Sequence, residues 1–373
     1  MSIRVYPWLI SPRMNWESID WKSLERLRAA FLAGTAGADD YWHSEADVAS
    51  YDATFAQRIG WKWDYVLAEL QRRGWSPAPG TLLDWGCGSG IAHRAFLDFF
   101  GANGVSKLTL WDRSPLAMRF AERRAKEKYP GLRVAAGILP AVEPGVPPGG
   151  IGAGNFTRLE PSNPGPGGRM PPSTSGETPD ATLLLSHVLT ELPPAQLDAL
   201  ADFAASYTTV IWVEPGTYDA SRSLIAVRER LRGTFNVIAP CTHQAKCGML
   251  DLGNESHWCH HFASPPPEIF MDRNWAKFGE IAGVDLRSLP LSFLVLDRRP
   301  APTLPTGATR VIGHPRLYKP YALLLGCDES GVAERRLTKR IHPEGWRTLK
   351  RGDGDPLQVW RCDGDEIVEA RPL

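Results

Sequence analysis

The chain has 373 residues, of which 43% are hydrophobic and 23% charged, with 42 acidic and 42 basic side chains. These values exclude a fibrous repeat, a small disulfide-stapled module and a wholly disordered chain. No apolar run approaches the roughly 18–20 residues that span a bilayer, and the N-terminus lacks the apolar core of a signal peptide. We therefore expect a cytoplasmic monomer that has no membrane contact.

Residues 1–78 are predicted to form a helical N-terminal region. The stretches "WESIDWKSLERLRAAFLAG" and "YDATFAQRIGWKWDYVLAELQRRG" carry apolar residues at intervals of three and four, and the second ends at Gly74. This spacing is typical of amphipathic helices that cover a larger core. The "SPAPG" segment that follows marks a boundary.

Residues 79–300 are predicted to form an α/β domain. Short apolar runs alternate there with helical stretches: "TLLDWG", "LTLWDRS", "RVAAG", "ATLLLSHVL", "TTVIWVEPG", "NVIAPC" and "LSFLVLDRR". Alternation of this kind indicates a doubly wound, mostly parallel, seven-stranded Rossmann-like sheet. The last run follows a short connection, which suits an antiparallel final strand. The Gly/Pro-rich residues 139–179 are interpreted as a flexible insertion.

Residues 301–373 are predicted to form a small β-rich appendage. Residues 298–351 hold twelve Lys or Arg against four Asp or Glu, a net charge of +8. A basic surface of this kind is a candidate contact for nucleic-acid phosphates, although a solvated basic face without a ligand is the alternative. The candidate phosphate contacts are Arg335, Arg336, Lys339, Arg340, Lys350 and Arg351.

A glycine-rich turn follows the first predicted strand in "LLDWGCGSG". Its glycines permit a close approach of backbone to ligand and leave free amides at a helix N-terminus. The next strand ends about 30 residues later at an acid that can accept the hydroxyls of a ribose. The pattern resembles class I S-adenosylmethionine (SAM) methyltransferases more than nucleotide oxidoreductases, while plain strand-to-helix packing is the third interpretation. The candidate SAM-binding residues are Asp84, Gly86, Gly88, Gly90, Asp112 and Ser186.

The segment "SHVLTELPP" follows the fourth predicted strand, where such enzymes line the gap between methyl donor and acceptor. His187 and Glu191 are weak candidates for acid–base catalysis, since a His at a strand end more often makes structural hydrogen bonds. The amine-activating "D/N/S-P-P-Y/F" motif is absent. The sequence therefore favours cofactor binding over any particular methyl transfer.

The segment "CTHQAKCGMLDLGNESHWCHH", residues 241–261, holds three of the six cysteines and four of the nine histidines. Cys241 as a nucleophile is disfavoured, because it lies one crossover later than the Pro-Cys of cytosine-C5 RNA methyltransferases. A Cys3His zinc site lacks the usual close cysteine pair. An iron–sulfur site would take Cys241, Cys247 and Cys259 from the loop and Cys327 from "LLLGCDESG". Unrelated buried cysteines are the remaining alternative.

The ordered motifs resemble a family of methyltransferase-like proteins that assemble the small ribosomal subunit, known from mitochondria and bacteria. The resemblance covers roughly residues 80–365 and rests on "LLDWGCGSG", "LWDRS", "ATLLLSHVLTEL", "VIWVEPGT", "VIAPCTHQAKCGM", "WCHHF", "LSFLVLDRRP" and the segment beginning at Gly313. It implies a SAM pocket, small-subunit ribosomal RNA as partner, and a four-iron four-sulfur (4Fe-4S) cluster. The implied ligands are Cys241, Cys247, Cys259 and Cys327, with Cys362 as the substitute for Cys327.

Two functions follow from these motifs and that resemblance. The chain is either a SAM-dependent RNA methyltransferase or a non-catalytic assembly factor that retains the methyltransferase fold. A radical-SAM mechanism is disfavoured, because the chain has no compact Cys-x3-Cys-x2-Cys run.

Overall fold

The computed structural model describes residues 15–33, 41–137, 180–192 and 194–373. The predicted insertion at 139–179 lies outside the described residues. Three helices come first: α1 (Trp21–Leu32), α2 (Glu45–Ala53) and α3 (Phe55–Arg72). The first two begin at polar caps, since the side chain of Asp20 accepts from the amide of Ser23 and that of Ser44 from the amide of Asp47. The helical cap that the sequence predicts at the N-terminus is therefore present in the described residues.

Within the described residues, eight strands form one continuous central sheet. Seven of them lie in the order β3-β2-β1-β4-β5-β8-β6, and β7 pairs with β8. All pairs among β1 to β5 are parallel, whereas β8 runs antiparallel to β5, β6 and β7. The strands are β1 (Gly80–Trp85), β2 (Val105–Trp111), β3 (Val134–Ala136), β4 (Asp180–Ser186), β5 (Thr209–Pro215), β6 (Asn236–Ala239), β7 (His261–Ala263) and β8 (Leu289–Asp297).

Both faces of this sheet are buried, because alternate residues of each strand enter opposite cores. Leu82 and Leu184 pack with α3 and α4 on one face, whereas Leu83, Leu183 and Trp212 pack with α6 and α7 on the other. The crossover helices are α4 (Ile91–Phe100), α5 (Pro115–Lys128), α6 (Pro194–Ala204), α7 (Tyr218–Leu231) and α8 (Arg273–Ala282). The predicted doubly wound, mostly parallel sheet with an antiparallel final strand is confirmed.

The C-terminal strands close into a barrel in the order β10-β11-β13-β12-β9. The elements are β9 (Ala308–Leu317), β10 (Tyr321–Asp328), β11 (Gly331–Thr338), α9 (Pro343–Arg351), β12 (Leu357–Asp363) and β13 (Glu366–Pro372). Trp346 and Leu349 of α9 pack into the barrel with Leu324, Leu337 and Trp360. The predicted β-rich appendage is thus a closed barrel that has its own apolar core.

A buried ionic group joins the barrel to the sheet domain. Glu69 of α3 accepts from the guanidinium groups of Arg73 and Arg310, and Arg310 lies on β9. All three side chains are about 1% exposed. Arg73 also donates to the carbonyl oxygens of Ile238, Pro240 and Cys241. Across the described ranges, no helix is long and apolar enough to cross a membrane.

Candidate functional site

A cavity of about 1030 Å³ opens at the carboxyl ends of β1, β2 and β4. Its volume is at the upper end of the roughly 300–1,000 Å³ of small-molecule sites. Of the predicted site residues, six line it: Gly86, Gly88, Asp112, Ser186, His187 and Glu191. The structure therefore brings together residues that follow three different strands. The two most distant in sequence, Gly86 and Glu191, are 105 positions apart.

The turn after β1 is held against the end of β2 by backbone hydrogen bonds. The amides of Gly86 and Cys87 donate to the carbonyl oxygen of Trp111 over 2.8 and 3.0 Å. Gly86, Gly88 and Gly90 adopt positive φ angles of 69°, 51° and 86°, which favour glycine. At Gly86 a Cβ would also stand 2.8 Å from Val188 Cγ1. The sequence forms this turn because only glycine combines these angles with so close a contact.

The carboxylate of Asp112 fixes the turn in place. Its Oδ2 accepts from the amide of Gly88 and its Oδ1 from the amide of Ser114, each over 2.8 Å. Burial raises the pKa of Asp112 above the ordinary value of an aspartate, and the two amide hydrogen bonds oppose that rise. Asp112 lines the cavity, so hydroxyl groups of a ligand there can donate to its remaining lone pairs.

Asp84 and Gly90 lie outside the cavity lining. The Asp84 carboxylate is fully buried and its Oδ2 stands 2.7 Å from His93 Nδ1 of α4. A Cβ on Gly90 would stand 2.4 Å from His93 Cε1, so the glycine makes room for the imidazole. Burial lowers the pKa of His93, which keeps the ring neutral near pH 7. The structure places the predicted pair Asp84 and Gly90 underneath the turn, as its support.

His187 stands at the cavity wall in a left-handed backbone conformation, with φ of 57°. Its Nε2 lies 3.5 Å from Lys62 Nζ of α3. Burial, together with the charges of Lys62 and Arg58, lowers the pKa of His187 well below its ordinary value. Burial likewise lowers the pKa of Lys62 to about 7. Two nitrogen bases that are partly or fully neutral at physiological pH therefore face the cavity together.

Glu191 pairs with Arg113 across 3.4 Å at the cavity rim. Enclosure by the protein raises the pKa of Glu191 to about 7, whereas the Arg113 charge opposes the rise.

The N-terminal helices supply one wall of the cavity, which the sequence did not predict. These helices are far from the strand ends along the chain, and no local pattern indicates that they contact the cavity. That wall contains Tyr41, Trp42, Tyr51, Phe55, Arg58 and Lys62. Trp85 and Trp111 stack with ring centroids 4.7 Å apart and complete the aromatic lining.

The four predicted cysteine ligands come together at the junction of barrel and sheet domain. Cys247 and Cys327 are buried in one cluster, against which Cys259 packs. Cys241 packs against the neighbouring core of the sheet domain, and Arg228 Nε donates to its Sγ over 3.2 Å. Burial raises the pKa of Cys327 above the usual range, and negative charge on Cys241, Cys259 or Cys247 raises it further. The side chains of Cys87 and Cys362 take no part in this cluster.

Two histidines of the same segment face these sulfur atoms. The Nε2 of His261 lies 3.6 Å from Cys259 Sγ, and the Nε2 of His243 lies 3.6 Å from Cys327 Sγ. Burial lowers the pKa of both rings, so each is neutral near pH 7. His260 instead stacks on Trp258, with ring centroids 4.6 Å apart. Within the described ranges, no three His, Cys, Asp or Glu side chains are arranged to hold a single metal ion.

Residues 176–358 match the model of a protein family described as Rsm22, mitochondrial small ribosomal subunit Rsm22. The predicted resemblance to a small-ribosomal-subunit family is thereby confirmed over these residues. No curated protein was found to match the chain.

Solved structures that are similar to the chain include the following three. Magnesium protoporphyrin IX methyltransferase from Synechocystis, with bound SAM, is 12% identical over 74% of this chain and 97% of its own, with a TM-score of 0.34. A Thermoplasma acidophilum protein is 12% identical over 74% and 96%, with a TM-score of 0.30. Precorrin-6y C5,15-methyltransferase from Geobacter metallireducens is 10% identical over 63% and 87%, with a TM-score of 0.33.

Proposed function

We propose that this protein, whose residues 176–358 match the Rsm22 family of the mitochondrial small ribosomal subunit, is a SAM-binding, methyltransferase-like protein. It acts on small-subunit ribosomal RNA during ribosome assembly. The family match is the observation that carries the ribosomal part of the proposal. The methyltransferase part is supported by the sheet order and by the cavity at the carboxyl ends of its strands, where open α/β sheets bind their ligands.

The residues of the cavity suit SAM. Gly86 and Gly88 line the cavity, and a Cβ at Gly88 would meet no atom within 4 Å, so a ligand can approach the backbone closely there. Asp112 offers carboxylate lone pairs to the two hydroxyls of a ribose. Ser89 Oγ is buried at the cavity with no hydrogen-bond partner among the described residues, so a polar ligand atom would satisfy it. When bound there, SAM supplies an electrophilic methyl group.

Lys62 and His187 are the groups that could remove a proton from a methyl acceptor. Both face the cavity, and the pKa of each is lowered by burial, so each has a free lone pair near neutral pH. The aromatic wall from α2 and α3 would exclude water from this part of the site. The proposed proton acceptors are therefore Lys62 and His187, whereas the sequence suggested His187 and Glu191.

The alternative function is that of an assembly factor that binds SAM and precursor RNA without methyl transfer. It is favoured by the basic residues on the barrel, which lie on a separate domain from the cavity. Replacing Asp112 with Ala in cells separates the two functions, with Asp219→Ala on the exposed start of α7 as control.

If methyl transfer is needed, sucrose gradients of the Asp112→Ala strain will show small-subunit precursors accumulating, while the control strain stays normal. Normal subunit profiles in a strain whose protein has lost SAM binding would reject the enzymatic function. Cross-linking of the wild-type protein in cells should recover small-subunit RNA, and recovery of unrelated RNA would contradict the ribosomal role.

We also propose that Cys241, Cys247, Cys259 and Cys327 hold a 4Fe-4S cluster. The sulfur atoms of a tetrahedral zinc site lie within about 4 Å of one another, since each bond is about 2.3 Å long. Cys247 and Cys327 are buried and Cys241 and Cys259 are half-buried. Negative charge on the other three cysteines raises the pKa of Cys327, yet no three of the four meet around one ion within the described part of the chain. A cluster of several iron atoms needs a wider ligand shell. The Arg228 guanidinium and the neutral rings of His243 and His261 supply donors to such thiolates.

The cluster would fasten the loop after β6 to the barrel, since Cys327 lies on β10. Anaerobically purified protein should be brown, absorb near about 400 nm and contain about four iron and four sulfide per chain. Cys327→Ser should lose the iron, whereas Cys362→Ser, at an exposed cysteine, should keep it. A colourless protein with one zinc per chain would overturn the cluster in favour of a zinc site.

A further inference from the structure

The C-terminal barrel has the connectivity of a known nucleic-acid-binding architecture. Counted from its first strand, its strands lie in the order 1-2-3-5-4 and close back on strand 1. The third and fifth strands, β11 and β13, are parallel, and every other pair is antiparallel. The helix α9 lies between the third and fourth strands and closes the core with Trp346 and Leu349. This is the topology of the OB-fold, a five-stranded Greek-key barrel that binds oligonucleotides around its second and third strands and its first turn.

One part of that surface is covered and another is open. Towards the β10–β11 turn, Leu325, Cys327 and Val332 pack against the cysteine loop. The opposite end, around the β9–β10 turn, faces solvent, and Leu317 and Tyr318 are each 42% exposed there. A ligand can therefore reach the end formed by the β9–β10 turn and the loop between β11 and α9.

Two aromatic rings stand at this open end. Tyr318 and Tyr321 flank the β9–β10 turn, with ring centroids 4.9 Å apart and an interplanar angle of 32°. The turn is rigid, because the amide of Tyr318 donates to the carbonyl oxygen of Tyr321 over 2.8 Å and Trp346 Nε1 donates to that of Tyr318 over 3.2 Å. The Tyr318 side chain makes neither of these hydrogen bonds and is exposed, whereas Tyr321 is half-buried. An exposed ring on a turn held by hydrogen bonds is suited to stacking with unpaired bases.

Basic side chains surround the two rings. The amide of Lys339 donates to the carbonyl oxygen of Pro320 over 2.9 Å, which places the loop after β11 beside the turn. Lys319, Lys339 and Arg340 are exposed and make no ion pair with any described residue. Arg335 and Arg336, by contrast, are paired with Asp365 and Glu366. Lys319, Lys339 and Arg340 therefore offer charge to phosphates beside the turn, and Lys350 and Arg351 of α9 are also exposed without an ion pair among the described residues.

We propose that the barrel binds single-stranded RNA at this open end, with bases stacked on Tyr318 and Tyr321 and phosphates held by Lys319, Lys339 and Arg340. The inference rests on the proposed function for the choice of RNA as the partner. It adds the surface, the strandedness of the RNA and the residues that make the contact. Because a single strand exposes its base faces and a duplex hides them, this end should discriminate between the two.

The test is fluorescence anisotropy of the full-length protein with a labelled twelve-nucleotide oligouridine and with a labelled RNA duplex of equal length. Wild type should bind the single strand more tightly. Tyr318→Ala should weaken binding by about 5- to 150-fold, the usual effect of removing one stacking ring. The double change Lys339→Ala with Arg340→Ala should reduce the slope of log affinity against log salt by about 1.4.

Two matched controls lie outside the barrel. Phe270→Ala removes an aromatic ring that is 54% exposed, and Lys107→Ala removes an exposed lysine of β2. Both variants should bind RNA as wild type does. Circular dichroism will establish that each variant is folded. If Tyr318→Ala and the double variant bind small-subunit RNA as tightly as wild type, the proposed surface is wrong while the proposed function stands. If wild type binds neither oligouridine nor small-subunit RNA, both fail. Equal affinity for the duplex would overturn the single-strand preference.

Discussion

Glu69 links the N-terminal helices, the cysteine loop and the barrel, so its replacement tests how the parts are joined. Its Oε1 accepts from both Arg73 and Arg310, and its side chain is 1% exposed. Glu69→Gln keeps the shape and removes the charge, which leaves two buried guanidinium groups without a counter-ion. Breaking a buried ion pair costs about 3–5 kcal/mol. Arg73 retains three carbonyl acceptors and Arg310 retains one from Pro240, so we expect a loss near the lower figure.

The assay is urea denaturation at pH 7, followed by tryptophan fluorescence. Glu25→Gln, at an exposed position of α1, is the control and should change the free energy of unfolding by less than about 0.5 kcal/mol. Burial alone would raise the pKa of Glu69, but the charges of Arg310 and Arg73 lower it below the ordinary value of 4.5. The carboxylate therefore stabilises the fold above about pH 4.5 and loses this effect as the pH falls through the folded-state pKa. A Glu69→Gln protein as stable as wild type at pH 7 would refute the reasoning.

Two further predictions concern the cavity. Burial lowers the pKa of Lys62 from 10.5 to about 7, so the unfolded chain binds more protons than the folded one between these pH values. As the pH rises from 7 to 10.5, wild type should therefore gain up to about 1.4 kcal/mol of stability per pH unit. Lys62→Met should lack this gain in denaturation curves taken at several pH values, and an unchanged dependence of stability on pH would contradict the assigned burial. Gly86→Ala should cost about 1–2 kcal/mol of stability and weaken SAM binding in calorimetry. The φ of this residue is 69°, and the new methyl group would meet Val188 at 2.8 Å. Unimpaired binding would show that the turn does not hold the ligand. Gly104→Ala, with only one distant neighbour for its Cβ, is the matched control.

The sheet could be predicted because its strands are marked by local patterns. Runs such as "TLLDWG" and "ATLLLSHVL" bury both faces, and their alternation with helices gives the parallel order. The turn at Gly86 and Gly88 and the acid at Asp112 were predictable for the same reason, since each follows a strand directly. The prediction that Cys327 lies with the loop cysteines came from the family resemblance and not from a local pattern.

Other parts of the site depend on tertiary packing that has no local signal. Lys62 reaches His187 across 125 positions of sequence, and helical periodicity in α3 does not tell which cavity it faces. Asp84 looked like a ligand-binding acid, but His93 nine residues later takes its carboxylate. The barrel order is likewise absent from the sequence, because the pairing of β11 with β13 joins strands that are separated by a helix and a third strand. The ion pairs of Arg335 and Arg336 follow from that pairing.

The central claim is that the cavity holds SAM, and calorimetric titration of SAM into anaerobically purified protein tests it most directly. The account predicts one binding site per chain, and Asp112→Asn should weaken binding by about 10- to 100-fold, as expected for a lost charge-assisted hydrogen bond. Asp219→Asn should bind as wild type does. A folded protein that shows no saturable SAM binding, or an Asp112→Asn variant that binds as tightly as wild type, would contradict the account.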